Sequence, residues 1–227
     1  AALRRAIDRG QPLWDADYLL TASDAELIAI FDPAEPGGVR IPQLERRVAH
    51  LREIGIGLRE TPIEELIGHA NGSAVALVES VRYRFPSFDD VVWIDGQEVR
   101  FLKRAQILIA DLHGAFGGQG LGAFTDLHEL TAFADYKVPQ VLRRFHVLRY
   151  APDLEAALQA HQLIPVNSAW ELEIRAATIW ACELIRQALD RRGKPLMAME
   201  IDWALWLTGQ SLLAVTEPYH RTPTIFY

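Results

Sequence analysis

The sequence contains a single cysteine, Cys182, in 227 residues. A lone thiol excludes an intramolecular disulfide and a cysteine-rich zinc site. It suits a reducing compartment, so the expected location is cytoplasmic. No run reaches the roughly 20 apolar residues of a membrane-spanning helix. Basic charge is also scarce: 23 Lys and Arg stand against 30 Asp and Glu, a net charge of −7. Gripping a long nucleic acid depends on neutralising its phosphates. The expected partner is therefore a small molecule held by a few local cations, not a nucleic-acid polymer and not a membrane. The 7 histidines include no i, i+4 pair of the zinc-helix kind, and no metal or cofactor is expected. Gly117-Gly118-Gln119-Gly120 lacks the Gly-Lys-Ser/Thr ending of a phosphate loop and follows no strand, so it reads as a plain loop. There is no Gly-x-Ser-x-Gly elbow, no internal repeat and no low-complexity stretch.

Half of the residues, 50%, are hydrophobic, enough for one globular domain over residues 1–227. The class is mostly α. Leu44–Ile56 is amphipathic. Thr61-Pro62-Ile63-Glu64 has the chemistry of a helix start, and Ser73–Tyr83 repeats apolar residues at helical spacing. Val91–Phe101, split by Asp95-Gly96, is a β-hairpin. Helices are then expected over Lys103–Phe116, Val138–Leu148, Leu154–Gln162, Trp170–Asp190 and Pro195–Leu207, followed by an extended tail at Tyr219–Pro223.

Three polar knots interrupt this apolar pattern. Lys103 and Arg104 open a buried helix, where cations oppose the helix dipole. They either snorkel to solvent or hold an anion. Asp135 lies just ahead of the next helix. It is either a plain cap or a carboxylate beside a reacting sugar, as in glycoside hydrolysis. His220 and Arg221 in the tail either fray into solvent or bind a phosphate. Asp202, among Trp203 and Trp206, is paired internally or serves a ligand. Glu171 and Arg175, at i, i+4, are expected to form a surface ion pair. Cys182 is expected as a packing residue.

Taken together, these stretches resemble the queuosine salvage family. The resemblance is carried by Phe101-Leu102-Lys103-Arg104-Ala105-Gln106, Phe133-Ala134-Asp135-Tyr136-Lys137-Val138-Pro139-Gln140, Glu171–Arg175, Asp202–Trp206 and His220-Arg221, in order along the chain. It implies an all-helical fold related to helix-hairpin-helix DNA glycosylases. It implies hydrolysis of queuosine 5′-phosphate to queuine and ribose 5-phosphate, and it makes Lys103 and Asp135 the essential residues. Asp135 would act on the sugar cation and the water. Lys103 would bind the phosphate, hold Asp135 ionised or, less favoured, add to the sugar. His220 and Arg221 become phosphate candidates. Asp202 becomes a partner for the ammonium of queuine, and Trp203 or Tyr136 a stacking surface for the base. Lys137 and Arg104 complete the substrate-binding candidates.

Leu102 departs from the family where a Tyr is expected, and Thr222-Pro223-Thr224 departs in the tail. The family also carries an N-terminal segment that contributes to the pocket. The start Ala1-Ala2-Leu3 leads us to expect that segment ahead of residue 1. Two rival readings share the features: a DNA-repair glycosylase, and a module that binds queuine or its nucleotide without cutting it.

Overall fold

A computed structural model describes residues 2–35, 37–211 and 218–227. The order is α1 (Ala2–Asp8), α2 (Ala16–Thr21), α3 (Asp24–Ala29), α4 (Leu44–Glu60), α5 (Ile63–His69), α6 (Ala74–Arg84), β1 (Val91–Ile94), β2 (Gln97–Arg100), α7 (Lys103–Ala115), α8 (Lys137–Arg144), α9 (Pro152–Gln159), α10 (Ala169–Asp190) and α11 (Ala198–Ser211). The class is mostly α, with one two-stranded antiparallel sheet among the described residues. No helix among them is long and apolar enough to cross a membrane.

Four groups of buried side chains organise the elements. Leu19, Leu27, Ile30, Val48 and Leu51 join α2, α3 and α4. Leu77, Val81, Ala105, Ile109 and Phe133 bind α6, α7 and the segment after it. Val138, Leu142, Ala181, Cys182 and Ile201 bind α8, α10 and α11. Leu154, Leu158, Ile164 and Ile174 seat α9 on α10. The helices α8 and α11 lie close enough that a Cβ at Gly209 would meet Lys137 Cδ at 2.7 Å and Val141 Cγ2 at 2.8 Å. Glycine at that position sets the distance between the two helices.

Local chemistry explains most boundaries. Asp95 and Gly96 both have positive φ, 51° and 77°, the pattern of a type I′ turn. The short helices α2 and α3, 6 residues each, escape the periodicity argument but are well capped. Asp15 accepts from Tyr18 N–H, and Ser23 with Glu26 forms a capping box. The α8 helix stops at Arg144 rather than continuing to Leu148. His146 enters the left-handed region at φ 60°. Its N–H bonds Arg143 C=O while Val147 N–H bonds Leu142 C=O, a Schellman ending with histidine where glycine is usual. At the other end of the last helix, Met197 N–H donates to Glu200 at 2.7 Å, and α11 begins at Ala198 rather than Pro195.

One expectation about exposure is corrected, and one of two open alternatives falls away. Glu171 and Arg175 are not a surface pair: they are 0% and 1% exposed and sit in the interior. The helix start that carries them faces Asp90, which supplies the neutralising charge that solvent would otherwise give. The tail is not frayed at residues 218–227, because Ile164 N–H donates to Arg221 C=O at 2.9 Å and pins it to the body.

Candidate active site

The site begins at the N-terminus of α7. Lys103 is the first helical residue, and Leu102 before it is left-handed (φ 47°, ψ 32°) with no side-chain cap of its own. A non-glycine residue in that conformation costs roughly 1 kcal/mol. Asp90 holds the bend. Its C=O accepts from Phe101 N–H at 3.0 Å and Leu102 N–H at 3.2 Å, and its carboxylate accepts from Lys103 N–H at 3.3 Å. Oδ1 of the same carboxylate takes a hydrogen bond from Arg175 Nη1 at 2.9 Å, and Oδ2 takes a second from Nη2. Arg175 also lies over the Phe101 ring at 3.9 Å and 3.6 Å from Glu171.

The Lys103 side chain is mostly buried and makes no hydrogen bond or ion pair with a described residue. Burial pulls its pKa down from the usual lysine range, and the charges of Asp135, Asp202 and Asp90 oppose that against Arg175. Its ammonium thus sits in the field of two further carboxylates without being bonded to either.

Those carboxylates come from α11 and from the segment that leads into α8. Asp135 Oδ1 accepts from Lys137 N–H at 2.9 Å and Val138 N–H at 2.8 Å. The capping reading of this residue is therefore right for one oxygen. Oδ2 takes no hydrogen bond from a described residue. Burial raises the pKa of Asp135, while the Val138 amide and Lys103 pull it back. Asp202 Oδ1 accepts from Phe133 N–H at 2.9 Å. Burial and the neighbouring Asp135 push its pKa up to about 7. Cys182 lies within the field of both acids. It is fully buried, and its thiol is raised to about 12, chiefly by burial, so it stays protonated and packs.

The remaining sequence candidates divide. Tyr136, next to Asp135, is 37% exposed and its ring lies 4.8 Å from that of Tyr219. Lys137 is buried, donates to Gln140 at 3.0 Å and sits 5.5 Å from the Tyr219 ring. Arg104 is committed elsewhere: it lies over Phe88 at 4.5 Å and donates to the carbonyls of Ser87 and Ile225. Trp203 packs against the main core. His220 and Arg221 do not act as a pair, because Arg221 is exposed while His220 is 2% exposed. Burial holds the His220 pKa down at about 4, so the ring is neutral near pH 7. It lies 3.3 Å from the Tyr227 hydroxyl, which donates to Glu171 at 2.8 Å.

Sequence reasoning missed Asp90 and the interior role of Arg175. The only hint was an acid between the Pro86-Ser87-Phe88 turn and an apolar strand, a weak signal when its partner is 85 residues away.

The geometry is that of buried acids and an uncommitted lysine grouped where one helix begins and another is about to start. The chain as a whole, residues 1–227, matches the family model described as queuosine salvage protein. A protein of Sphaerobacter thermophilus named queuosine 5′-phosphate N-glycosylase/hydrolase is 52% identical over 230 residues, covering 100% of this chain and 70% of that protein. Proteins of the same name from Dictyostelium discoideum (40% identical, 99% of this chain, 69% of the relative) and Mus musculus (32% identical, 100% and 70%) are similar to it too. The chain belongs to the queuosine salvage protein family.

Proposed function

We propose that this protein hydrolyses the N-glycosidic bond of queuosine 5′-phosphate, and that Asp135 and Lys103 carry the reaction. The observation that carries the assignment is the pair itself: an enclosed carboxylate with one oxygen, and a mostly buried ammonium, that no described residue hydrogen-bonds. Both are held by backbone contacts at helix starts. Enclosed charges left unspent within a protein are expected where a ligand completes them.

In the reaction the C1′–N bond breaks and its electrons leave with the base. The sugar becomes oxocarbenium-like, and water adds its oxygen to C1′. One proton of the water goes to the departing base nitrogen, giving queuine and ribose 5-phosphate. Queuine is a 7-deazaguanine, so the purine N7 that is usually protonated is missing and stabilisation of the sugar cation matters more. Asp135 Oδ2 is the oxygen available for that cation and for the incoming water. Lys103 keeps Asp135 ionised against burial, which is one of the two roles its charge supports. Contact with the 5′-phosphate is the other. Asp202 shares the field of Asp135, so the two acids titrate as a coupled pair rather than independently. Tyr136 offers a flat surface to the base. Lys137 and Arg221 remain candidates for the phosphate.

The test follows free queuine by chromatography after incubating full-length protein with queuosine 5′-phosphate, queuosine and guanosine 5′-phosphate. Release from queuosine 5′-phosphate, lost in Asp135→Asn, supports the proposal. Binding without release from any substrate would leave a binding module instead.

A further inference from the structure

We propose that Asp90 and Arg175 are positioning residues for Lys103, a matched ion pair whose role is to fix the backbone from which the lysine projects. The inference rests on the proposed role of Lys103 in the reaction. Asp90 alone accepts from the successive N–H groups of Phe101, Leu102 and Lys103. It therefore fixes the left-handed residue that redirects the chain from β2 into α7. Arg175 in turn saturates the carboxylate with two hydrogen bonds. The guanidinium is itself held by the Phe101 face and by Glu171, with the Tyr227 ring 5.1 Å away. Asp90 is 2% exposed and Arg175 1%.

A buried ion pair of this kind is a poor way to add stability, because desolvation offsets most of the attraction. What it supplies here is direction. The planar fork fits a carboxylate in one orientation. That orientation points Oδ2 at the Lys103 amide and the Asp90 carbonyl at the two amides before it. A lysine whose Cα shifts by about 1 Å would lose on the order of 100-fold in rate. The pair also sets the field. Lys103 faces Asp135, from the segment before α8, Asp202 from α11, Arg175 from α10 and Asp90 from the segment before β1. Removing the Asp90 charge exposes the lysine to an unbalanced Arg175.

The test uses full-length Asp90→Asn and Arg175→Lys with two readouts. The first is steady-state turnover of queuosine 5′-phosphate at a temperature where circular dichroism shows each variant folded. The second is amine labelling of Lys103 across pH, read by mass spectrometry, which needs no substrate. Asp90→Asn is expected to lower kcat about 100-fold with KM changed less than about 3-fold, and to move the Lys103 labelling midpoint to lower pH. Arg175→Lys keeps the charge and loses the fork, so kcat falls while the midpoint stays. Folded variants with wild-type kcat and unchanged labelling would overturn the proposal. If Asp90→Asn does not fold, Arg175→Lys decides by the same split, and Asp90→Glu, which keeps the charge, should recover part of the turnover and the wild-type midpoint. A wild-type protein that releases no base while Asp90→Asn still shifts the labelling would refute the reaction assigned to the site, not the positioning of Lys103.

Discussion

Two sets of buried charge lie side by side in this molecule, and they are built on opposite principles. Around Asp90 and Arg175 each charge has a partner: fork to carboxylate, carboxylate to amide, guanidinium to ring. Around Lys103, Asp135 and Asp202 the backbone amides are engaged, yet among the described residues an ammonium and carboxylate oxygens are left over. Burial penalises both sets alike. The difference teaches that the pairing of each charge, not burial, separates scaffold from site, even though Arg175 Nε donates no hydrogen bond among the described residues. The same contrast explains why Glu171, engaged by Tyr227, Asn167 and Arg175, is not a candidate for chemistry although it is fully enclosed.

The comparison can be broken most directly by removing the leftover charges. Asp135→Asn keeps the cap to Lys137 and Val138 but not the charge, and turnover is expected to fall about 10³-fold or more with little change in melting temperature. A mutant that kept half of its activity would move Asp135 into the scaffold set. Lys103→Met is expected to cost about 10²-fold. Borohydride added during turnover should trap no adduct on Lys103 of the wild type, and a covalent adduct found by mass spectrometry would turn Lys103 into a nucleophile.

A subtler test uses pH. Asp202 has a carboxyl raised to about 7 from 3.8. Between those values the folded protein keeps a proton that the unfolded chain has released, so stability falls as pH rises through the window. Asp202→Asn should flatten that part of the stability curve in chemical denaturation. His220 has the opposite sign. Its folded value of about 4 lies below the ordinary 6.5. The unfolded chain therefore takes up a proton first, and stability falls as pH drops from 6.5 towards 4. His220→Asn should remove that loss without changing phosphate preference. The smallest effect is expected from Arg221→Ala. As an exposed residue it should raise KM for queuosine 5′-phosphate a few-fold and leave queuosine unaffected, as initial rates on the two substrates would reveal.

Much of the fold was legible because its helices are long and periodic and its hairpin has a turn chemistry that few other structures share. The short α2 and α3 were not legible, since six residues give less than two turns of pattern. At the site, Lys103 and Asp135 stood out as charges in apolar stretches, and family resemblance gave them roles. What could not be read was the engagement of each charge. Arg175 and Glu171 have the spacing of a surface pair, and only the approach of Asp90 from 85 positions away turns them inward. His220 and Arg221 are neighbours in sequence, yet the extended tail sends one side chain in and the other out.

Gly209 has a consequence for how sequence variants of this protein are judged. It has no side chain to offer a substrate, yet any side chain there would collide with Val141 and with the stem of Lys137. The helix that those residues belong to supplies the two amides that fix Asp135. An alanine at 209 would therefore behave as a remote loss-of-function allele. A ranking of variants by distance from the reacting atoms would pass over it.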